Sequence, residues 1–151
     1  MSLPKPYYDD GKGIVIYNAD CRDILPELPK VDLVLTDPPY KDLEYGWDKD
    51  ILDKVIEYLK NIRGFYFWNN RINFPMNESA LHIWCKSNVF LGGLMQYEKI
   101  YEVNGNKCCG FFKSPSINSV VSAQMANDTY ENHPTQKPKE VLLSILKYCD
   151  K

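Results

Sequence analysis

The chain of 151 residues is long enough for one domain with a real core, and at 44% hydrophobic and 25% charged it has an ordinary globular composition. No apolar run approaches the roughly 18 residues of a membrane span, and the polar, proline-containing stretch Met1 to Asp10 does not read as a signal peptide, so a cytoplasmic protein is expected. A net charge of −2 argues against a simple nucleic-acid binder, although eight lysines against six acidic residues over 85–151 leave that part mildly basic.

The elements follow in chain order. Gly13 to Tyr17 is an apolar run before the turn-prone Asn18-Ala19-Asp20, and it predicts a first strand. Asp23 to Leu28 suggests a short helical turn. Val31 to Thr36 predicts a second strand that runs into Asp37-Pro38-Pro39. Asp50 is placed to cap a helix whose Ile51, Leu52, Val55, Ile56 and Leu59 share one face. Gly64 to Trp68 predicts a third strand ending at Asn69-Asn70. Short, continuous apolar runs rich in β-branched and aromatic residues suit strands buried on both faces of a parallel sheet. Ala80 to Lys86 predicts another strand. Tyr97 to Val103 and Lys107 to Lys113 flank Asn104-Gly105-Asn106, a hairpin signal because Asn-Gly suits a type I′ turn. Residues 114–134 carry no period. Pro138 opens a last helix with Val141, Leu142, Ile145 and Leu146 on one side.

The expected class is therefore α/β, with a mostly parallel sheet and a late antiparallel hairpin. Ligands in open α/β sheets sit beyond the carboxyl ends of the strands. Asp20, Asp37 and Asn69-Asn70 occupy three such ends. The five cysteines (Cys21, Cys85, Cys108, Cys109 and Cys149) are odd in number and contain no C-x-x-C pair. They read as reduced thiols, and no metal site is expected.

Thr36-Asp37-Pro38-Pro39-Tyr40 carries the strongest chemical signal. A residue before proline is pushed away from helical angles, and proline fixes its own φ. Two prolines in a row therefore make a stiff strand exit with no N–H of their own. The Asp37 carboxylate only accepts hydrogen bonds, and Tyr40 adds a flat ring. An acceptor-rich corner beside an aromatic plate suits a planar ring bearing an NH2 group. Such an amine is a poor nucleophile because its lone pair is delocalised. If Asp37 and the Pro38 carbonyl accept its hydrogens, the lone pair is freed, and catalysis becomes positioning and electrostatics. The bland alternative is a common Asp-Pro turn after a strand.

These segments resemble the amino-methyltransferases of DNA, in the permuted class whose catalytic motif precedes the glycine motif for S-adenosylmethionine (SAM). Asp37-Pro38-Pro39-Tyr40 matches the catalytic motif, and Asp in its first place resembles the adenine-N6 enzymes rather than the cytosine-N4 ones. Asn18-Ala19-Asp20-Cys21 is similar to the segment where an acid approaches the adenosine of SAM. Trp47-Asp48 and Ile83-Trp84-Cys85-Lys86 are weaker likenesses. His133-Pro134-Thr135-Gln136-Lys137-Pro138 is similar to the segment before the SAM-side helix. The resemblance spans about residues 13–149. It implies a partial Rossmann-like sheet, SAM as cofactor, double-stranded DNA as substrate with the target base flipped out, and a bacterial or phage restriction-modification setting.

By that resemblance the catalytic residues are Asp37, Pro38, Pro39 and Tyr40. The cofactor side is Asp20, Asp37, His133, Thr135 and Lys137, with Lys137 neutralising the SAM carboxylate or a DNA phosphate. Each has a plainer reading: Asp20 as a cap, Thr135 and Pro138 as a helix entry, Lys137 as a solvated side chain. His82 reads as structural. The family's Phe-x-Gly-x-Gly turn is not found in 1–151, and Gly92-Gly93 is misplaced for it. A single catalytic domain lacking its C-terminal glycine-rich part is the resulting expectation. The uncovered sheet edge would invite association, including a homodimer. Two other classes stay open: an inactive fragment serving as a DNA- or partner-binding module, and a methyltransferase for RNA or protein amides.

Overall fold

A computed structural model describes residues 2–38, 49–69, 71–85, 97–105 and 137–149. The described residues form an α/β structure with three helices and two sheets. In chain order they give β1 (Tyr8–Asp9), β2 (Val15–Ile16), α1 (Cys21–Ile24) continuing as a 3-10 turn at Leu25–Glu27, β3 (Val34–Thr36), α2 (Lys49–Leu59), β4 (Gly64–Trp68), β5 (Ala80–Cys85), β6 (Tyr97–Val103) and α3 (Lys139–Cys149). The main sheet has the order β3-β4-β6-β5.

The β3–α2–β4 unit matches the expected parallel crossover. Val34, Leu35 and Thr36 pair with Gly64, Phe65 and Tyr66. Beyond it the sheet departs from expectation. β6 runs antiparallel to β4 on one side and to β5 on the other. One of the three strand pairs is therefore parallel, not most of them. A late antiparallel element does exist, but it is β5 with β6. β6 is paired by β4 and by β5, and the second arm of the hairpin expected at Asn104-Gly105-Asn106 falls on residues 107–113. Residues 107–113 lie outside the described residues.

The first apolar run is the clearest correction. Val15 and Ile16 do not enter the main sheet. They pair with Tyr8 and Asp9 in a separate antiparallel ribbon, with Ile14, Val15 and Ile16 exposed. Local turn chemistry explains this. Asp9 Oδ1 accepts from Gly11 N at 2.8 Å, and Asp10 Oδ1 accepts from Lys12 N at 2.8 Å and Ile14 N at 2.9 Å. Gly11 and Gly13 supply positive φ values of 63° and 119°, which only glycine adopts without cost. Those amide hydrogen bonds also hold the Asp10 carboxyl below its usual pKa. Aspartate turns thus fold the run back on its own neighbour.

Alternation sorts the main sheet into two covered faces. On one side Tyr66, Trp68, Tyr101 and Val103 meet Leu52 and Leu59 of α2. Phe74 stacks on Tyr101 with centroids 4.3 Å apart and planes 5° from parallel. On the other side Phe65, Phe67, Trp84 and Ile100 meet Val141 and Ile145 of α3. Burying each of these large apolar side chains contributes roughly 1.5–3 kcal/mol. All five residues of β4 are buried, as its unbroken apolar run predicts. α2 begins at Lys49, so Asp50 falls inside the helix rather than ahead of it.

Two polar devices lock the amino end of β4. Asn104, at φ 53°, directs its amide nitrogen to the carbonyls of Lys60 at 2.6 Å and Ile62 at 3.2 Å, tying the end of β6 to the exit of α2. Glu102, at 0% exposure, takes Arg63 Nε and Nη2 on one oxygen at 3.1 and 2.9 Å, and His82 Nε2 on the other at 3.0 Å. Arg63 lies 5.7 Å over the Tyr148 ring. Burial opposes the Arg63 charge, but the Glu102 hydrogen bonds and neighbouring Cys149 and Tyr148 outweigh it and raise its pKa. His82 is thus structural. Gly105 passes so close to the Glu102 carboxylate that a Cβ there would overlap it.

Candidate functional site

β3 ends at Thr36 because Pro38 has no N–H to continue the ladder. Pro38 is buried, whereas Asp37 remains exposed beside it. The chain thus presents a carboxylate at the carboxyl end of a parallel strand, mounted on a proline that cannot relax. One hundred residues later the same construction recurs. Pro138 is also buried, its carbonyl accepts from Val141 N at 3.1 Å as α3 begins, and Lys137 precedes it. Both Asp37 and Lys137 therefore stand immediately before buried prolines, where extended backbone is favoured.

The two side chains meet. Lys137 Nζ lies 2.9 Å from Asp37 Oδ2 and 3.3 Å from Glu98 Oε2. The ammonium also sits 5.5 Å from the centroid of the Phe67 ring. Lys137 keeps 16% side-chain exposure, Glu98 23% and Asp37 35%. Four elements converge here: the exits of β3 and β4, the start of β6 and the entry to α3. Two carboxylates thus flank one ammonium, and Asp37 is the most exposed of the three side chains.

Of the residues expected from the sequence, the structure brings Asp37 and Lys137 together and places Pro38 directly beneath. Asp20 does not join them. Its Oδ1 accepts from Arg22 N at 2.8 Å as the cap of α1, and the Arg22 guanidinium grips Oδ2 at 2.6 Å. Arg22 holds the Asp20 carboxyl down to about 2. Asn69 closes a turn through Arg71 N at 2.9 Å. Trp84 is core, edge-on to Phe67 with centroids 6.4 Å apart. Pro39, Tyr40, Trp47, Asp48, Asn70, Lys86, His133 and Thr135 lie outside the described residues.

Sequence reasoning missed Glu98 and Phe67. Glu98 had a readable signal, since alternation along β6 puts it on the same inward face as Ile100 and Glu102. An acid at an inward strand position asks for a partner.

A groove of about 550 Å³ opens elsewhere, between α1 with its 3-10 turn and α2, lined by Arg22, Leu25, Pro26, Lys54 and Tyr58 among others. None of the cluster residues borders it, so it is a seam between helices. Among the described residues no group of three His, Cys, Asp or Glu side chains is arranged to hold a metal ion. No helix among them is long and apolar enough to cross a membrane. Comparison with protein-family profiles, characterised proteins and solved structures found no match to this chain.

Proposed function

We propose that the chain is the catalytic part of a SAM-dependent DNA methyltransferase that acts on an exocyclic base amine, N6 of adenine. The observation that carries this reading is the Asp37 carboxylate, open to solvent at the carboxyl end of β3 and stiffened by buried Pro38. The Asp37-Pro38-Pro39-Tyr40 sequence supports it, and so does the α/β class, of which a Rossmann-like methyltransferase sheet is one form.

Asp37 accepts one amine hydrogen and the Pro38 carbonyl the other, biasing the nitrogen toward tetrahedral geometry. The freed lone pair would then take up the methyl group of bound SAM, whose carbon–sulfur electrons would stay with the sulfur. The surplus amine proton leaves by way of Asp37 to water. SAM, when bound, supplies a methyl group activated on a sulfonium. The carboxylates of Asp37 and Glu98 suit that cation and the positive charge that develops on nitrogen. His133 and Thr135 belong to the SAM side of this reading. Double-stranded DNA is the substrate, with the target base turned out of the stack, and a homodimer is its expected assembly.

Incubation with SAM labelled in its methyl group, against DNA, RNA and protein in parallel, tests the reading. Label in DNA, recovered as N6-methyladenine, is the expected result. Label confined to RNA or protein would change the substrate class. No label in any, together with no heat of SAM binding by calorimetry, would leave a binding module.

A further inference from the structure

We propose that Glu98 is a positioning residue of this site: it anchors the Lys137 ammonium, and Lys137 fixes the Asp37 carboxylate in its amine-gripping orientation. The inference rests on the methyl-transfer reading and gives Lys137 a different duty from neutralising the SAM carboxylate or a phosphate.

Three observations carry it. Lys137 touches both carboxylates, at 2.9 Å to Asp37 and 3.3 Å to Glu98, while its ammonium rests against the Phe67 ring. An ammonium has three donors, and these two acids account for its polar contacts within the cluster. Next, the mounts are stiff in unequal ways. Asp37 and Lys137 sit before buried prolines outside any strand or helix, whereas Glu98 stands within β6, paired with Trp84 of β5. Glu98 is therefore the fixed end and Asp37 the working end of a three-residue brace. Last, the charges suit the role. A lone Asp37–Lys137 pair is neutral and would compete with an incoming amine for the same oxygens. Sharing the ammonium with Glu98 draws it partly away from Asp37 and sets a second carboxylate beside the place of a cationic methyl donor.

The test uses the full chain and two readouts. The first is the 15N–1H signal of the Lys137 ammonium, assigned by its loss in Lys137→Arg. A braced ammonium exchanges slowly and is visible, and Glu98→Gln should broaden and shift it. The second is steady-state methyl transfer. Lys137→Met should lower kcat on the order of 100-fold and Glu98→Gln about 10-fold, both with KM for SAM and DNA unchanged, because misplacement by about 1 Å costs rates of this size. Lys137→Arg should recover part of the loss. The double variant Glu98→Gln/Lys137→Met should be no slower than Lys137→Met alone, since Glu98 acts only through Lys137.

Additive losses, or an ammonium signal indifferent to Glu98→Gln, overturn the brace while leaving the function standing. An ammonium signal that responds to Glu98→Gln, in a protein that transfers no methyl group, overturns the function and the catalytic purpose of Glu98 with it.

Discussion

Two charged clusters share the α3 face of the main sheet, one near each end of that helix. At the amino end of β4, Arg63, Glu102 and His82 meet around a carboxylate with 0% exposure. At the carboxyl end, Asp37, Lys137 and Glu98 meet around an ammonium, and Asp37 keeps 35% side-chain exposure. The ingredients are similar and the surroundings are not. In the first cluster Arg63 and His82 take up the Glu102 carboxylate and pack against Phe65 and Tyr148. The second keeps one of its carboxylates at the surface. Full burial with satisfied partners suits a lock, and partial exposure leaves a group that a ligand can reach.

The contrast can be broken from either side. The largest expected effect is Glu102→Gln, which leaves Arg63 half-enclosed without its counter-charge. Removing one partner of a buried pair costs about 3–5 kcal/mol, and Arg63's 24% exposure points to the lower end. Urea unfolding measures it, and the folded fraction should still transfer methyl at the wild-type rate. Asp37→Ala should do the reverse. Transfer falls at least about 100-fold, while stability stays within about 0.5 kcal/mol. Activity that survives this change would remove Asp37 from the mechanism.

A smaller effect comes from Tyr66→Phe. The Tyr66 hydroxyl is buried with no hydrogen-bond partner among the described residues, and burial pushes its pKa up to about 12. Deleting it should stabilise the protein by about 1 kcal/mol at neutral pH. The sign at high pH follows from the raised value. The unfolded chain releases this proton near 10.0 and the folded one near 12, so wild-type stability falls across that window. Tyr66→Phe should flatten the fall in an alkaline denaturation series. A slope unchanged by the substitution would refute the assignment.

The smallest change is Asp20→Ala. The folded carboxyl titrates at about 2 against an ordinary 3.8. Its stabilisation is therefore present above pH 3.8 and lost as pH falls toward 2. The variant should show a shallower acid limb and unaltered SAM affinity by calorimetry. Collapse of SAM binding would instead return Asp20 to the cofactor pocket.

What the sequence made legible was local. The five-residue run of β4, the helical faces of α2 and α3, and the stiff exit at Asp37-Pro38 follow from patterns within about a dozen residues. What it hid was pairing. Nothing in Tyr97 to Val103 announces two antiparallel partners, because the side-chain pattern along a strand is the same whichever way its neighbours run. The ribbon of β1 and β2 was legible in retrospect. Asp9, Asp10, Gly11 and Gly13 spell a turn, and the apolar pull of Ile14 to Ile16 masked it. In the candidate site, Asp37 was singled out because its motif is contiguous in sequence. Glu98 was not, because it meets Lys137 only once β6 and the entry to α3 are brought together.

Asn104 shows how narrow one position can be. Its backbone takes a left-handed turn at φ 53°, and its side-chain nitrogen reaches two carbonyls from the far side of β4. Glycine would tolerate the angle and drop the clasp. Aspartate would also tolerate the angle, yet would aim oxygen at oxygen. A residue that reads as mere punctuation between two segments is thus a rivet with a single fitting head, and two parts of the chain more than forty positions apart depend on it.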